Sequence, residues 1–246
     1  MLWAESWDDR VSDRSAAYPG VQGQRLKQLE PRAFAESLAP GAHDMRVVAV
    51  MIESVDGRTA IDGTSAPLGH PADTALLREL RTAADVILVG AGTIVAEGYS
   101  NLLDADQRER RAEAGRTDHP VVATISRRLD IGDVAIAGED VPFVIYSETT
   151  GPGPGDVRTL PAATVEAVLD DLGDALILCE GGPKLLRRLA ASDLIDDIAL
   201  TIAPLIAGGE SSGLLAGEPL REPSDFTLAS VARADDHLFL HYRRGS

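Results

Sequence analysis

The chain has 246 residues, of which 44% are hydrophobic, 25% charged and only 4% aromatic. That length fits one large α/β domain better than two small ones, with a core of aliphatic side chains. The formal net charge of −16 repels phosphate backbones and anionic lipid, which excludes nucleic acid and membrane surfaces as main partners.

Residues 1–44 carry scattered charges, glycines and Pro19, Pro31 and Pro40, and are read as a surface arm on a domain spanning 45–246. The opening Met1-Leu2-Trp3-Ala4-Glu5-Ser6 has neither the basic start nor the apolar stretch of a secretion signal. No segment approaches the roughly 20 apolar residues of a membrane helix. A short helix over residues 31–38 is allowed, because proline is tolerated at the first helical position. Residues 46–54 (RVVAVMIES) form a β-branched apolar run and predict a buried central strand. Asp56-Gly57 makes a turn, residues 58–61 continue extended, and residues 62–67 form a loop. Residues 71–83 predict a helix, with Pro71 and Asp73 in its first turn and Leu76, Leu77 and Leu80 on its buried face.

Residues 85–90 (DVILVG) predict a second strand that runs into a helical turn ending near Glu97. Residues 104–115 read as a charged, exposed helix or a mobile loop. Residues 120–125 and 142–146 predict two further strands. The loop at 149–155 (TTGPGPG) sits inside the domain rather than linking two, because strand–helix alternation resumes after it. Thr164 is placed to cap a helix reaching residue 172. Residues 175–179 form a fifth strand ending in Cys179, the single cysteine. It cannot make an intrachain disulfide, which suits a reducing cytoplasm, and a buried apolar role outweighs a nucleophilic one. A helix follows at 182–191. Strands at 195–206, 226–232 and 237–242 then come without intervening helices, the last two joined by a hairpin at Asp235-Asp236. The expectation is a mixed sheet with a parallel centre, an antiparallel C-terminal hairpin and helices on both faces.

Two strand-to-helix junctions carry the chemistry. Gly90-Ala91-Gly92-Thr93 and Glu180-Gly181-Gly182-Pro183 each place glycine where backbone N–H groups and a helix start can receive phosphate. Two such corners suit the opposite ends of a dinucleotide, although either alone is commonly turn geometry. The Rossmann fingerprint fails, because Val95 stands where its third glycine belongs and no acidic strand end follows. Lys184 lacks the Walker A context. The five histidines do not pair with cysteine at zinc-ligand spacing, so no metal is expected, and His237 and His241 read as structural. Ser54 lies in no nucleophile elbow and reads as a turn residue. Glu180 either faces the cleft, as hydrogen-bond acceptor or as an acid of raised pKa, or caps a helix.

Taken together, the motifs resemble the reductase domain of bacterial riboflavin biosynthesis. Ser54-Val55-Asp56-Gly57-Arg58-Thr59-Ala60 is similar to its S-x-D-G-[KR]-x-A motif. Leu80-Arg81 followed by Ala84-Asp85-Val86-Ile87-Leu88-Val89-Gly90-Ala91-Gly92-Thr93 is similar to its L-R-x-x-x-D-A-I-L-x-G-x-x-T segment. Glu180-Gly181-Gly182-Pro183, Leu194-Ile195-Asp196-Asp197 and Ala203-Pro204 through Gly208-Gly209 complete the order. The resemblance implies a dihydrofolate-reductase-like fold, NADPH, a small heterocyclic substrate and a homodimer formed through sheet edges. Pro67, Gly92, Thr93, Glu97, Ser126 and the turn Gly181, Gly182, Pro183, Lys184, Leu185, Leu186 would contact cofactor. Arg127 and Arg128 would take its 2′-phosphate. Ser65, Arg81 and Glu180 would face substrate, with Glu180 as candidate proton donor. Two departures stand out. The strand before Ser54 reads Ala49-Val50-Met51-Ile52-Glu53 and lacks the family's lysine, and residues 1–44 are too short for a zinc deaminase domain. The expected activity is therefore hydride transfer from NADPH to a pyrimidine-type heterocycle. Dihydrofolate or pterin reduction, a catalytically idle NADPH-binding protein and a purely structural α/β domain are the alternatives.

Overall fold

A computed structural model describes residues 26–38, 45–100, 102–129, 131–132, 134–138, 140–209 and 213–245. Most of the expected arm lies outside the described residues. Its final part supplies a two-residue strand β1 (Lys27–Gln28) and helix α1 (Pro31–Leu38), which follows the sequence reading.

Strand β2 (Arg46–Ser54), helix α2 (Pro71–Ala83), strand β3 (Val86–Leu88) and helix α3 (Ala91–Glu97) come next. Helix α4 (Ala105–Glu113) leads to strands β4 (Val121–Ile125), β5 (Phe143–Ser147) and β6 (Asp156–Thr159). Helix α5 (Val165–Leu172), strand β7 (Leu176–Cys179) and helix α6 (Pro183–Ala191) follow, then strands β8 (Asp197–Ala203), β9 (Phe226–Ala234) and β10 (His237–Arg244). The described strands form one sheet in the order β1-β9-β10-β8-β2-β7-β3-β4-β5-β6. From β8 to β6 every neighbouring pair is parallel, while β10 runs antiparallel to both β8 and β9. The loop at 149–155 therefore joins two adjacent strands of one sheet.

Side chains alternate across the central strands, so each strand feeds two cores. Val47, Ala49, Ile177 and Cys179 pack under α5 and α6. Val48, Leu176, Leu178 and Phe239 pack under α1 and α2. Both faces being covered explains why these strands read as continuous apolar runs. Burial pushes the Cys179 thiol up to about 12, in keeping with an inert core residue.

Three details depart from the sequence reading. The β8 strand is shorter than residues 195–206. The β6 strand was not expected, because an edge strand with mostly exposed side chains has no apolar alternation to betray it. The α4 helix is neither mobile nor exposed throughout. Asp104 and Gln107 form a reciprocal capping box. Arg111, only 2% exposed, donates to the carbonyls of Thr82 at 3.0 Å and Ala84 at 2.5 Å. A charged sequence thus hides a buried cation that satisfies the last carbonyls of α2. Burial lowers the Arg111 pKa to about 10.

Candidate active site

The parallel strands β2, β7 and β3 all end at the same edge of the sheet, and a cleft of about 540 Å³ opens there between their following loops and α2. Ligand sites at the carboxyl ends of such strands follow from the topology.

The two glycine corners meet at this edge. Since β3 and β7 are hydrogen-bonded neighbours, the loops leaving them start side by side. The Gly90 N–H donates to the Gly181 carbonyl at 3.1 Å. A Cβ on Gly182 would stand 3.2 Å from both Gly90 Cα and Thr93 Oγ1. The two corners, which the sequence reading assigned to opposite ends of a dinucleotide, therefore lie side by side in one cradle. Gly182 also has φ of +86°, outside the range open to most side chains. Its replacement, Gly182→Ala, is expected to cost about 1–3 kcal/mol of stability and to weaken dinucleotide binding. Melting curves with and without NADP⁺ read both effects, and wild-type values in both would contradict the close approach.

Adjoining the cradle is a buried polar group. Arg81, in the last turn of α2, reaches Glu180, just after β7, through two parallel bonds of 2.7 and 2.6 Å. Their side chains are 13% and 4% exposed. The Tyr99 hydroxyl donates to the same carboxylate, and the Arg81 guanidinium stands 5.2 Å from the Tyr99 ring centre. Burial opposes the charge of Arg81, but Glu180 more than offsets it and keeps the guanidinium protonated. Burial and the Glu180 charge push the Tyr99 hydroxyl well above its ordinary range, so it stays a donor. The Glu180 carboxyl thus receives hydrogen bonds from both neighbours.

Other lining residues are committed to shaping the cleft. Glu97 accepts from Thr64 Oγ1 at 3.0 Å and from the Ser65 N–H at 2.9 Å, so it fastens the loop after β2 to the end of α3. Asp73 accepts from Thr201 Oγ1 at 2.6 Å. Ser54 is the turn residue expected: it donates to Asp56 at 2.6 Å and accepts from the Arg58 N–H at 3.0 Å. Asp56 also receives the N–H groups of Ala207 and Gly208 at 2.9 and 2.8 Å, and the Ser54 hydroxyl first, then these two donors, hold its pKa down at about 2.

Of the sequence candidates, Ser65, Arg81, Gly92, Thr93, Glu97, Glu180, Gly181, Gly182 and Pro183 line the cleft. Pro67 sits in a single 3-10 turn, Ala66–Leu68, beside the lining. Ser126, Arg127 and Arg128 follow β4, outside the lining but at the same strand-end edge, with both arginines exposed. Lys184 is exposed at the start of α6. The Leu185 and Leu186 side chains point into the core, and the Leu186 N–H is taken by the Gly182 carbonyl. Tyr99 and Thr201 were missed as site residues, and Asp73 was read only as a helix-dipole residue. Tyr99 had a faint signal, as one of four tyrosines placed just beyond a predicted helix end. Nothing in the sequence pairs Thr201 with Asp73 across the fold.

The ten-stranded mixed sheet of the described residues, with this cleft at its strand ends, has a dihydrofolate-reductase-like fold. A dihydrofolate reductase from Enterococcus faecalis, complexed with NADP(H), matches with a TM-score of 0.51 and 13% identity over 82% of this chain and 97% of that one. The chain belongs to the RibD C-terminal domain family, whose model matches residues 46–240. It is similar to a 2,5-diamino-6-ribosylamino-4(3H)-pyrimidinone 5′-phosphate reductase of Methanothermobacter thermautotrophicus, at 26% identity over 74% of this chain and 88% of that protein. The riboflavin biosynthesis protein RibD of Mycobacterium tuberculosis is 29% identical over 63% of this chain, but that stretch is only 41% of the longer protein. In structure it resembles a pyrimidine reductase-like protein of Corynebacterium diphtheriae, with a TM-score of 0.77 and 22% identity over 89% of this chain and 100% of that one.

Proposed function

We propose that this protein is an NADPH-dependent reductase that transfers a hydride to a pyrimidine-type heterocycle. The observation that carries this reading is one cleft lined by both a glycine cradle and the adjoining Arg81–Glu180–Tyr99 group. Membership of a family whose relatives include pyrimidinone phosphate reductases supports it.

The residues present fit a nicotinamide dinucleotide. Gly90 and Gly182 pack backbone to backbone, and the neighbouring Gly92, with nothing near the place of a Cβ, leaves the start of α3 open for a phosphate to approach. The cofactor supplies the hydride, and the protein contributes position and electrostatics. Arg81 and Tyr99 fix the Glu180 carboxylate with three hydrogen bonds. A carboxylate has about four acceptor directions, which leaves roughly one to take a ring N–H or amino group of substrate. The ring atom that gains the hydride and the nitrogen that gains a proton belong to the substrate, and water entering the cleft supplies the proton. The cradle and the loop fastened by Glu97 set the two rings against each other.

Loss of nicotinamide absorbance on mixing the protein, NADPH and the ribosylaminopyrimidinone phosphate tests the activity, and no turnover across a panel of pyrimidines and pterins would remove it. We assign Arg127 and Arg128, exposed just after β4 at the same strand-end edge, to the 2′-phosphate of NADPH. Replacing both with alanine should raise KM for NADPH roughly 10- to 100-fold while barely changing that for NADH. An unaltered preference between the two cofactors would take these arginines out of the site.

A further inference from the structure

On the face of the sheet that α2 covers, Val50 pairs with Ala199 and Ile52 with Thr201, and all four line the cleft. Leu76 and Leu77 of α2 line it too, so this part of the cleft is a largely apolar slot. One carboxylate stands in it. Asp73, in the first turn of α2, lines the cleft and accepts from Thr201 Oγ1 at 2.6 Å. Thr201 is its hydrogen-bond donor among the described residues. The nearby imidazoles are turned to other partners: His70 to Asp235 at 3.1 Å and to the Ala72 N–H, His237 to the Leu68 carbonyl at 3.4 Å. Burial raises the Asp73 pKa above its ordinary value, and the Thr201 hydroxyl, His237 and His70 offset this only in part.

A carboxylate in such a slot discriminates between ring edges. Ionised, it accepts through both oxygens and donates nothing. It therefore suits an edge with two adjacent N–H groups, because two parallel bonds match its two oxygens. A 2-amino-4-oxo-pyrimidine has that edge, in its amino group and the neighbouring ring N–H. The deaminated ring carries a carbonyl where the amino group stood. Its oxygen would face a carboxylate oxygen with no proton between them, and two opposed acceptors in a shielded slot are costly.

Building on the reductase reading above, we propose that Asp73 determines which ring is accepted: it receives the paired N–H groups of an amino–amide edge, and so selects the amino-bearing pyrimidine over its deaminated counterpart. Thr201, bonded to the same carboxylate, is a positioning residue that holds it toward the slot. Glu180 takes a donor that both rings share, and contributes nothing to the choice between them.

The test uses the whole protein saturated with NADPH and two compounds that both carry the 5′-phosphate, 2,5-diamino-6-ribosylamino-4(3H)-pyrimidinone 5′-phosphate and 5-amino-6-(5-phosphoribosylamino)uracil. They differ only at the ring edge in question. Heat of binding and loss of nicotinamide absorbance are followed for each. The wild type should show kcat/KM roughly 10- to 100-fold higher for the diamino compound, mainly through KM. In Asp73→Asn the amide offers one donor and one acceptor, which matches a carbonyl beside an N–H. The preference should level or reverse in this variant, with a melting temperature near that of wild type. A merely structural role for Asp73 would lower both activities together and leave their ratio alone, and that result in a folded variant overturns the proposal. If the variant does not fold, the wild-type ratio decides alone. Equal or better use of the uracil by the wild type overturns the proposal and leaves the reductase reading standing. Binding of NADPH without use of either compound also overturns it. Failure to bind NADPH, with no turnover of either compound, removes both.

Discussion

Replacing Glu180 with alanine is expected to lower both stability and turnover, and the two losses are separable. Arg81 is 13% exposed and depends on Glu180 for its charge partner. Removing the carboxylate leaves a buried cation, which costs about 3–5 kcal/mol. In a chain of this size that lowers the melting temperature by roughly 6–20 °C. Turnover should fall about 100-fold through lost positioning of the substrate ring, while NADPH affinity changes less, because the Glu180 side chain turns to Arg81 and Tyr99 whereas the cradle is built of backbone. The double variant Arg81→Met with Glu180→Leu removes both charges and fills the same volume, so it should recover most of the stability without recovering turnover. Calorimetry and steady-state kinetics on the three proteins decide this. Full turnover by Glu180→Ala would remove Glu180 from the chemistry, and an unchanged melting temperature would mean the buried pair contributes nothing.

The second large effect is expected at Asp197, far from the chemistry. Its side chain is fully buried and bonds Arg46 at 2.6 Å, Arg243 at 3.2 Å and His241 at 2.7 Å. These partners come from β2 and β10, so one carboxylate ties the parallel half of the sheet to its antiparallel end. Asp197→Ala strands two guanidinium groups beside a buried imidazole, and should cost about 3–5 kcal/mol. Burial pushes the Asp197 carboxyl up, but His241, Arg46 and Arg243 more than offset it, so its pKa lies below the ordinary value. The sign follows from linkage. The stabilisation is complete above the unfolded carboxyl pKa of about 3.9, and is lost as pH falls through the lower folded value. Denaturation measured from pH 6 downward should show this acid limb in the wild type and a shallower one in Asp197→Asn. Parallel curves would assign the acid sensitivity to other carboxylates.

The motifs that carried the family resemblance divide by what they do. Leu194-Ile195-Asp196-Asp197 is structural: Asp196 accepts from the Val47 N–H at 2.8 Å, and Asp197 ties the strands together. The Ser54–Gly57 turn is also structural, since Asp56 holds the Ala207-Gly208 loop in place. The two glycine junctions and Arg81 build the cleft. The order of motifs identified the family, but spacing alone could not separate a strand clasp from a substrate contact. Both place a carboxylate or glycine at a strand end, and they differ only in what lies opposite.

Helix and strand identities along the chain were set locally. Runs such as Arg46–Ser54 and Leu176–Cys179 are apolar and β-branched or aliphatic, and helices such as Pro71–Ala83 carry their own period and caps. The positions of Gly90, Gly181 and Glu180 at strand ends followed from the same runs. Tertiary structure alone decided that β3 and β7 are neighbours, which merged two phosphate corners into one cradle. It also brought Tyr99 and Arg81 onto Glu180, and Thr201 onto Asp73. Local propensity depends on residues within a few turns of one another, whereas these contacts join residues from 81 to 128 positions apart. Only the order of strands in the sheet brings them together.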